Sequence, residues 1–398
     1  MAEPDLPVFP FDTPPELDAD PRHAMLRQRD PVPAVRLAGG GQARLVTRYD
    51  DVRRIYADPV FSRAEAVEPG RPTLRPGRQN PYLLLSMDPP AHTRIRRLVA
   101  RAFTRRGVER MRPRVQEIAD ELVNAMMTHG APVDFVEAFA APLPAIVISD
   151  LVGAPGGDHP VLRRWMDVAL SVTAHGPDEV RAAGERMVAY LGALIAAKRA
   201  EPGEDLLSAL IETHDEDGDR LSEPELLFTT YIMLIGGYET TAGLLANSLL
   251  TLHRHPEALD LLRDKPEQVP AAVEEILRYV PIAKASLERV ATEDTVLSGV
   301  PIPAGTTLIP LQYSGNRDEA LTIDPDRFDI TREPVPHLAF GHGIHYCLGA
   351  QLARLELHTA FATLLRRLPA LRPAVPQGEI LWKQGMITRG PVALPVVW

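Results

Sequence analysis

From Ser222 and Glu225, spaced as a capping box, to His255 just before Pro256, apolar residues recur at helical spacing without a break. A helix of about 33 residues is about 50 Å long at 1.5 Å rise per residue. An element of that length crosses a whole domain, so its middle must lie in the core. Its most apolar part, Leu226 to Tyr238, is too short to span a bilayer and runs straight into Glu239. The opening residues, M-A-E-P-D-L-P, carry no basic region followed by an apolar run, so no secretory leader is read. A cytoplasmic protein without a membrane is expected.

The rest of the chain fits around that helix. The 398 residues, 45% hydrophobic and 24% charged, suffice for a large core. The 39 prolines are scattered rather than gathered into a linker, so residues 1–398 are expected to form one domain. A formal net charge of −10 argues against nucleic acid as the main partner. Pro33 to Val46 reads as a hairpin around Gly39, Gly40 and Gly41, and Thr47 with Asp50 as a capping box opening a helix through Tyr56. Pro59 to Met87 has little periodicity and reads as a long loop of the kind that lines binding sites. Four to six helices are expected between Ala91 and Ala200, and a last one over about Leu348 to Leu368. Beyond Pro281, short β-branched runs alternate with turns, which adds a small β-rich portion to a mainly α fold.

Cys347 is the one cysteine, so no intramolecular disulfide can form. A lone thiol in so long a chain is usually inert. Its setting, H-L-A-F-G-H-G-I-H-Y-C-L-G-A-Q, is less ordinary: Gly341, Gly343 and Gly349 bracket it and a helix follows. Glycines let a flat ligand approach the backbone, and a helix N-terminus favours thiolate over thiol. Three readings stand: a turn that happens to hold a buried cysteine, a zinc site drawing on His337, His342 and His345, or a haem, for which one axial ligand suffices.

The middle of the long helix, L-I-G-G-Y-E-T-T-A-G, poses a similar choice. Adjacent glycines mid-helix cost about 1 kcal/mol each against alanine, so a compensation is expected, such as space for a planar cofactor. Glu239 and Thr240 follow in a segment that must be buried. The Thr240 hydroxyl either bonds back to the Gly236 carbonyl or frees it and opens the helix. A helix kink with Glu239 paired to a distant arginine accounts for these residues equally well.

Phe340, Gly343, Cys347 and Gly349 stand at F-x-x-G-x-x-x-C-x-G, which resembles the haem-binding signature of the cytochrome P-450 family. His345 is at the position usual in bacterial members, and the likeness runs in order from about Asp88 to the C-terminus. The resemblance implies the mainly helical cytochrome P-450 fold and haem b, iron protoporphyrin IX, with Cys347 as the axial metal ligand. Gly236, Gly237, Glu239 and Thr240 match the family's [A/G]-G-x-[D/E]-T. By that likeness Thr240 orients dioxygen, the co-substrate, and Glu239 relays protons. His92, Arg96, Arg289 and His345 correspond to donors to the haem propionates. Glu275 and Arg278 resemble the family's E-x-x-R pair, which with Arg327 of P-D-R-F holds the cysteine loop in place. Asn316, Arg317 and Asp318 match N-R-D, with Glu319 where a proline often follows.

The implied reaction is a haem-thiolate monooxygenation, hydroxylation or epoxidation, of a hydrophobic small molecule. The substrate class suggested by the actinobacterial likeness is a secondary metabolite such as a polyketide, macrolide or peptide. Electrons would come from an iron–sulfur ferredoxin and its NAD(P)H-dependent reductase, and a monomer is expected. A non-enzymatic haem protein, gas sensor or electron carrier, explains the cysteine loop but not Glu239 and Thr240. A zinc hydrolase explains the His and Cys cluster but neither the glycine pair nor the propionate donors. Positions expected to select the substrate are Val60 to Leu85, Trp165 to Met187, Tyr231, Ile235 and Ile282 to Leu287, with Lys284 able to meet an anion. Arg94 to Arg114 holds nine arginines against one acid, Glu109, a reversal of the chain's sign that, with Arg354, suits an acidic electron donor.

Overall fold

The unbroken apolar pattern is realised as a helix over Glu223–Arg254, 32 residues long. Glu225 Oε2 accepts the Ser222 amide at 2.7 Å in the expected capping box, and His253 and Arg254 complement the other end of the helix dipole. From Thr241 to Leu252 every residue is buried. The helix does run through a core.

The computed structural model describes residues 6–11, 17–74, 80–100, 105–171, 174–216, 221–283, 286–386 and 388–398. The chain groups into two compact units. One comprises Met1–Thr93, Leu277–Phe328 and Arg332–Cys347; the other comprises Arg94–Ile276, Asp329–Thr331 and Leu348–Trp398.

The first unit is built on a six-stranded sheet in the order Val8–Phe9, Ala34–Leu37, Gln42–Val46, Thr307–Pro310, Arg289–Ala291, Phe61–Ser62. The expected hairpin pairs Val35 with Ala43, and Gly40 and Gly41 turn it at φ of 101° and 81°, where a side chain is strained. The strand Gln42–Val46 then runs parallel to Thr307–Pro310, with Leu45 opposite Ile309. Val52, Ile55 and Tyr56 of the helix Tyr49–Ala57 pack with Phe61, Ala291 and Leu308 in one core. That helix does not start as expected. The Thr47 hydroxyl donates to Pro31 O at 3.0 Å, and the first-turn amide of Tyr49 goes to Asp318 Oδ2 at 2.8 Å. A carboxylate remote in sequence has taken the place of the local cap.

In the second unit the central helix packs on Pro142–Val152, and Arg105–His129 packs on Ala350–Arg367, the helix that follows the cysteine loop. Five α-helices are described between residues 91 and 200, within the expected range. Pro395–Val397 pairs antiparallel with both Arg372–Pro373 and Val133–Asp134, which ties the end of the chain into this unit.

Candidate active site: the cysteine loop and the central helix

In the cysteine loop the amide of Cys347 donates to Phe340 O at 2.9 Å, closing the segment onto itself, and Tyr346 N donates to Gly343 O at 3.0 Å. Gly341 and Gly343 have φ of 73° and 68°, and a Cβ on Gly343 would fall 2.3 Å from Tyr56 O. Only glycine closes the loop against that backbone. Cys347 is exposed, and Phe340 is half-buried beside His337 and Tyr346. Gly349 caps the helix Ala350–Arg367 with its carbonyl on Ala353 N at 2.9 Å.

The histidines of this stretch point to separate partners. His342 Nε2 meets Arg53 Nε at 3.4 Å, and burial together with the Arg53 charge lowers its pKa. His337 Nδ1 accepts the Ala339 amide at 3.2 Å, whereas the ring of His345 lies 4.3 Å from that of the buried His92. Among the described residues no three His, Cys, Asp or Glu side chains are grouped to hold a metal ion, so the residues do not fit a zinc centre.

They do fit a haem. Arg289 opens the strand Arg289–Ala291, 3% exposed, and its one side-chain hydrogen bond among the described residues is to Glu288 O at 3.3 Å. Burial, and then the neighbouring charge of Arg63, push its guanidinium down to about 9. Arg63 itself is spent on the carbonyls of Leu85 and Glu288. A buried cation so placed needs an anion, and a propionate beside a single thiolate ligand matches that need. Arg96, one turn after His92 on the helix Ala91–Ala100, is half-buried. Arg278 is almost fully buried and donates to the carbonyls of Asn316 at 3.0 Å, Pro325 at 2.7 Å and Arg327 at 3.2 Å. Glu275 accepts the Asp329 amide at 2.9 Å.

In the central helix Thr240 Oγ1 donates to Gly236 O at 2.8 Å, so the hydroxyl bonds back rather than opening the helix. The two glycines do different things. A Cβ on Gly236 would meet nothing within 4 Å, whereas one on Gly237 would lie 2.8 Å from Ile148 Cδ1. The missing side chain of Gly237 lets the Pro142–Val152 helix approach. Glu239 is 1% exposed; its Oε1 accepts from Lys383 Nζ at 2.8 Å and Thr388 Oγ1 at 3.0 Å. The distant partner is thus a lysine, not an arginine. Neighbouring Tyr238 donates to Asp167 Oδ1 at 2.9 Å and accepts from Arg163 Nε at 3.0 Å. Burial and the charges of Asp167 and Glu239 raise the phenol's pKa, and burial with the charge of Glu239 raises the Asp167 carboxyl.

The family profile described as Cytochrome P-450 matches residues 196–391. The chain is 46% identical to nocardicin C N-oxygenase of Nocardia uniformis subsp. tsuyamanensis, over 100% of both chains. The chain belongs to the cytochrome P-450 family. It is also 44% identical to the mycinamicin IV hydroxylase/epoxidase of Micromonospora griseorubida, over 98% of each. Its fold matches the crystal structure of HinD with NMFT and NO at a TM-score of 0.94 and 45% identity, over all of both chains. It is a cytochrome P-450 monooxygenase, an oxidoreductase that uses haem and dioxygen and works with redox partners on hydrophobic substrates.

In this cytochrome P-450 the arginine run is less naked than its sequence suggests. Arg94 pairs with Glu225, Arg112 with Glu109 at 2.8 Å, Arg114 with Glu117 at 2.6 Å and Asp150 at 2.9 Å, and Arg354 with Glu274 at 2.6 Å. Exposed Arg106 and Arg110 make no ion pair among the described residues. Arg101 and the side chain of Arg105 lie outside the described residues, as does Lys284. Among the described residues no helix is long and apolar enough to cross a membrane. The residues around Glu239 that sequence reasoning missed (Lys383, Thr388, Asp167, Tyr238 and Arg163) are far apart in the chain. Tyr238 alone carried a signal, its place beside Glu239.

Proposed function

We propose that this enzyme hydroxylates or epoxidises a secondary metabolite of the polyketide, macrolide or peptide kind. It would act as a monomer with haem b and electrons from an iron–sulfur ferredoxin and its NAD(P)H-dependent reductase. One juxtaposition carries the reading of the chemistry: within a single turn of the central helix a fully buried acid, Glu239, adjoins Thr240, whose hydroxyl rests on the Gly236 carbonyl. A gas sensor or electron carrier has no use for that pair. The substrate class is supported by the two relatives, a nocardicin C N-oxygenase and a mycinamicin IV hydroxylase/epoxidase.

When bound through Cys347, haem supplies a thiolate-ligated iron at which dioxygen is reductively activated. Arg289, His92, His345 and Arg96 would hold its propionates; Phe340 and Gly349 would frame the ligand loop, and Glu275 and Arg278 would keep it in register. Thr240 offers a hydroxyl that can leave the Gly236 carbonyl to hold dioxygen and a water. Glu239 passes it protons. One oxygen atom goes to the substrate and the other leaves as water, so two electrons and two protons are consumed per product.

The test is a reconstituted turnover with labelled dioxygen, using macrolides and peptides first found by the spin shift they induce. Thr240→Ala should keep haem and spin shift but form less product per reduced nicotinamide, the difference appearing as hydrogen peroxide. An unchanged ratio removes Thr240 from the mechanism. Cys347→His should leave a haem protein whose reduced carbon-monoxide complex lacks the red-shifted Soret band of thiolate ligation. A second reading, oxygenation at nitrogen, is favoured by the 46% identity to an N-oxygenase. The position of the labelled oxygen in the product separates the two.

A further inference from the structure

Tyr56 lies on the buried face of the helix Tyr49–Ala57, and the cysteine loop closes against its backbone: its carbonyl is the atom that a side chain on Gly343 would strike. Its ring packs with Phe61, Ala291 and Leu308, an ordinary place for an aromatic side chain. Its hydroxyl is less ordinary. The phenol oxygen is shielded from solvent and makes no hydrogen bond among the described residues, and the same holds for Ser286 Oγ beside it. A buried hydroxyl without a partner destabilises the fold that holds it, and phenylalanine would fill this core equally well.

The Arg289 guanidinium stands 5.7 Å from the centre of the Tyr56 ring, three residues after Ser286 in the chain. Its one side-chain hydrogen bond among the described residues is to Glu288 O. A phenol, an alcohol and a guanidinium are thus gathered beside the cysteine loop, all of them donors. A carboxylate, with about four lone-pair sites on two oxygens, can take all three. Burial raises the Tyr56 phenol to about 12, against the pull of Ser286, Arg289 and Arg63, so it keeps its proton at neutral pH and donates. Neutrality has a use here. Burial and the charge of Arg63 already depress Arg289, so a third cation at this place would be repelled, whereas a hydroxyl adds a hydrogen bond without adding charge.

We propose that Tyr56, with Ser286, donates to the same haem propionate as Arg289, two neutral hydroxyls completing a carboxylate cradle with the guanidinium. The inference rests on the reading of Arg289 as a propionate donor. It makes Tyr56 a haem-binding residue of this chain rather than a core aromatic. It also ties the hydroxyls to the iron's potential, since each hydrogen bond draws off negative charge that otherwise favours the ferric state.

Tyr56→Phe removes the oxygen and keeps the ring. In the haem-free protein its thermal midpoint should rise, because an unpaired buried hydroxyl is gone. In the holoenzyme the order reverses: haem release to apomyoglobin should be faster by about tenfold or more, the factor for one hydrogen bond to a charged acceptor. The propionate-bending band of the resonance Raman spectrum should shift, and the ferric/ferrous midpoint potential without substrate should fall. Ser286→Ala should move release, band and potential in the same directions, with release faster by about threefold. Unchanged release, band and potential in Tyr56→Phe overturn the proposal, as do the same results in Ser286→Ala if Tyr56→Phe fails to fold. Faster release with an unshifted band marks loosened packing and overturns it too. If Arg289→Met shifts the band and neither hydroxyl variant does, the hydroxyls alone are wrongly assigned. If Arg289→Met leaves the band in place as well, the reading of Arg289 falls with them.

Discussion

The imidazole rings of His92 and His345 lie 4.3 Å apart, centroid to centroid, tilted by 54°. One comes from the helix Ala91–Ala100, the other from the cysteine loop two residues before the proposed iron ligand. Residues in contact that serve one anion are energetically coupled. His92→Ala and His345→Ala should each weaken haem binding by about 1.5–3 kcal/mol, the range for a hydrogen bond to a charged group. The double variant should lose less than the sum. Competition for haem with apomyoglobin measures all three, and strict additivity would mean that the two rings do not share a propionate.

Arg289 makes an opposite demand on the haem-free and haem-bound protein. Its guanidinium is pushed down to about 9 by burial and Arg63, so the folded chain holds that proton less tightly than the unfolded chain does. The resulting penalty is full below pH 9 and fades as pH rises from there toward the ordinary arginine value. Arg289→Met should therefore stabilise the haem-free protein at neutral pH, with the advantage shrinking above about pH 9. The same variant should bind haem more weakly. Denaturant unfolding of both haem-free proteins across that range gives the sign, and a destabilised Arg289→Met would remove Arg289 as a destabilising buried cation.

The adjacent glycines predict opposite stability changes. Gly236→Ala fills open space and should stabilise by up to about 1 kcal/mol through helix propensity. Gly237→Ala drives a methyl to 2.8 Å from Ile148 Cδ1 and should cost about 1–3 kcal/mol of strain, outweighing that gain. Thermal unfolding of the two variants side by side is sufficient. Equal shifts would mean that the two helices adjust freely.

What was legible in the sequence is what is local. The Ser222–Glu225 bond spans three residues and is where the spacing put it, and the Thr240–Gly236 bond, spanning four, is one of the two arrangements the spacing allowed. The loop glycines were legible for the same reason. What was not legible are side chains that find partners across the fold: Asp318 takes the Tyr49 amide 269 residues away, and Lys383 takes Glu239 at a separation of 144. No periodicity or cap rule links such positions. The arginine run shows the converse error, because charge counted along a segment omits Glu225, Asp150 and Glu274, which come from elsewhere to meet it.

That neutralisation sharpens the expectation for the electron donor. In a chain of net charge −10, an acidic ferredoxin needs a local positive surface, and paired arginines supply little of one. Arg112 already shares its guanidinium with Glu109, and Arg354 with Glu274. Arg106 and Arg110 are exposed on the helix Arg105–His129 and make no ion pair among the described residues, so their field reaches solvent unopposed. Arg106→Glu and Arg110→Glu should each slow first-electron transfer from ferredoxin, by about tenfold at low salt, while Arg112→Glu should slow it less. The wild-type rate should fall with ionic strength, since exposed charges are screened beyond about 8–10 Å at physiological salt. Reduction by dithionite and the spin shift on substrate binding should not change, because neither uses the docking surface. Stopped-flow reduction at several salt concentrations separates the cases. If the ferredoxin rate is indifferent both to salt and to the reversals at Arg106 and Arg110, this face of the helix is solvated surface and the donor docks elsewhere.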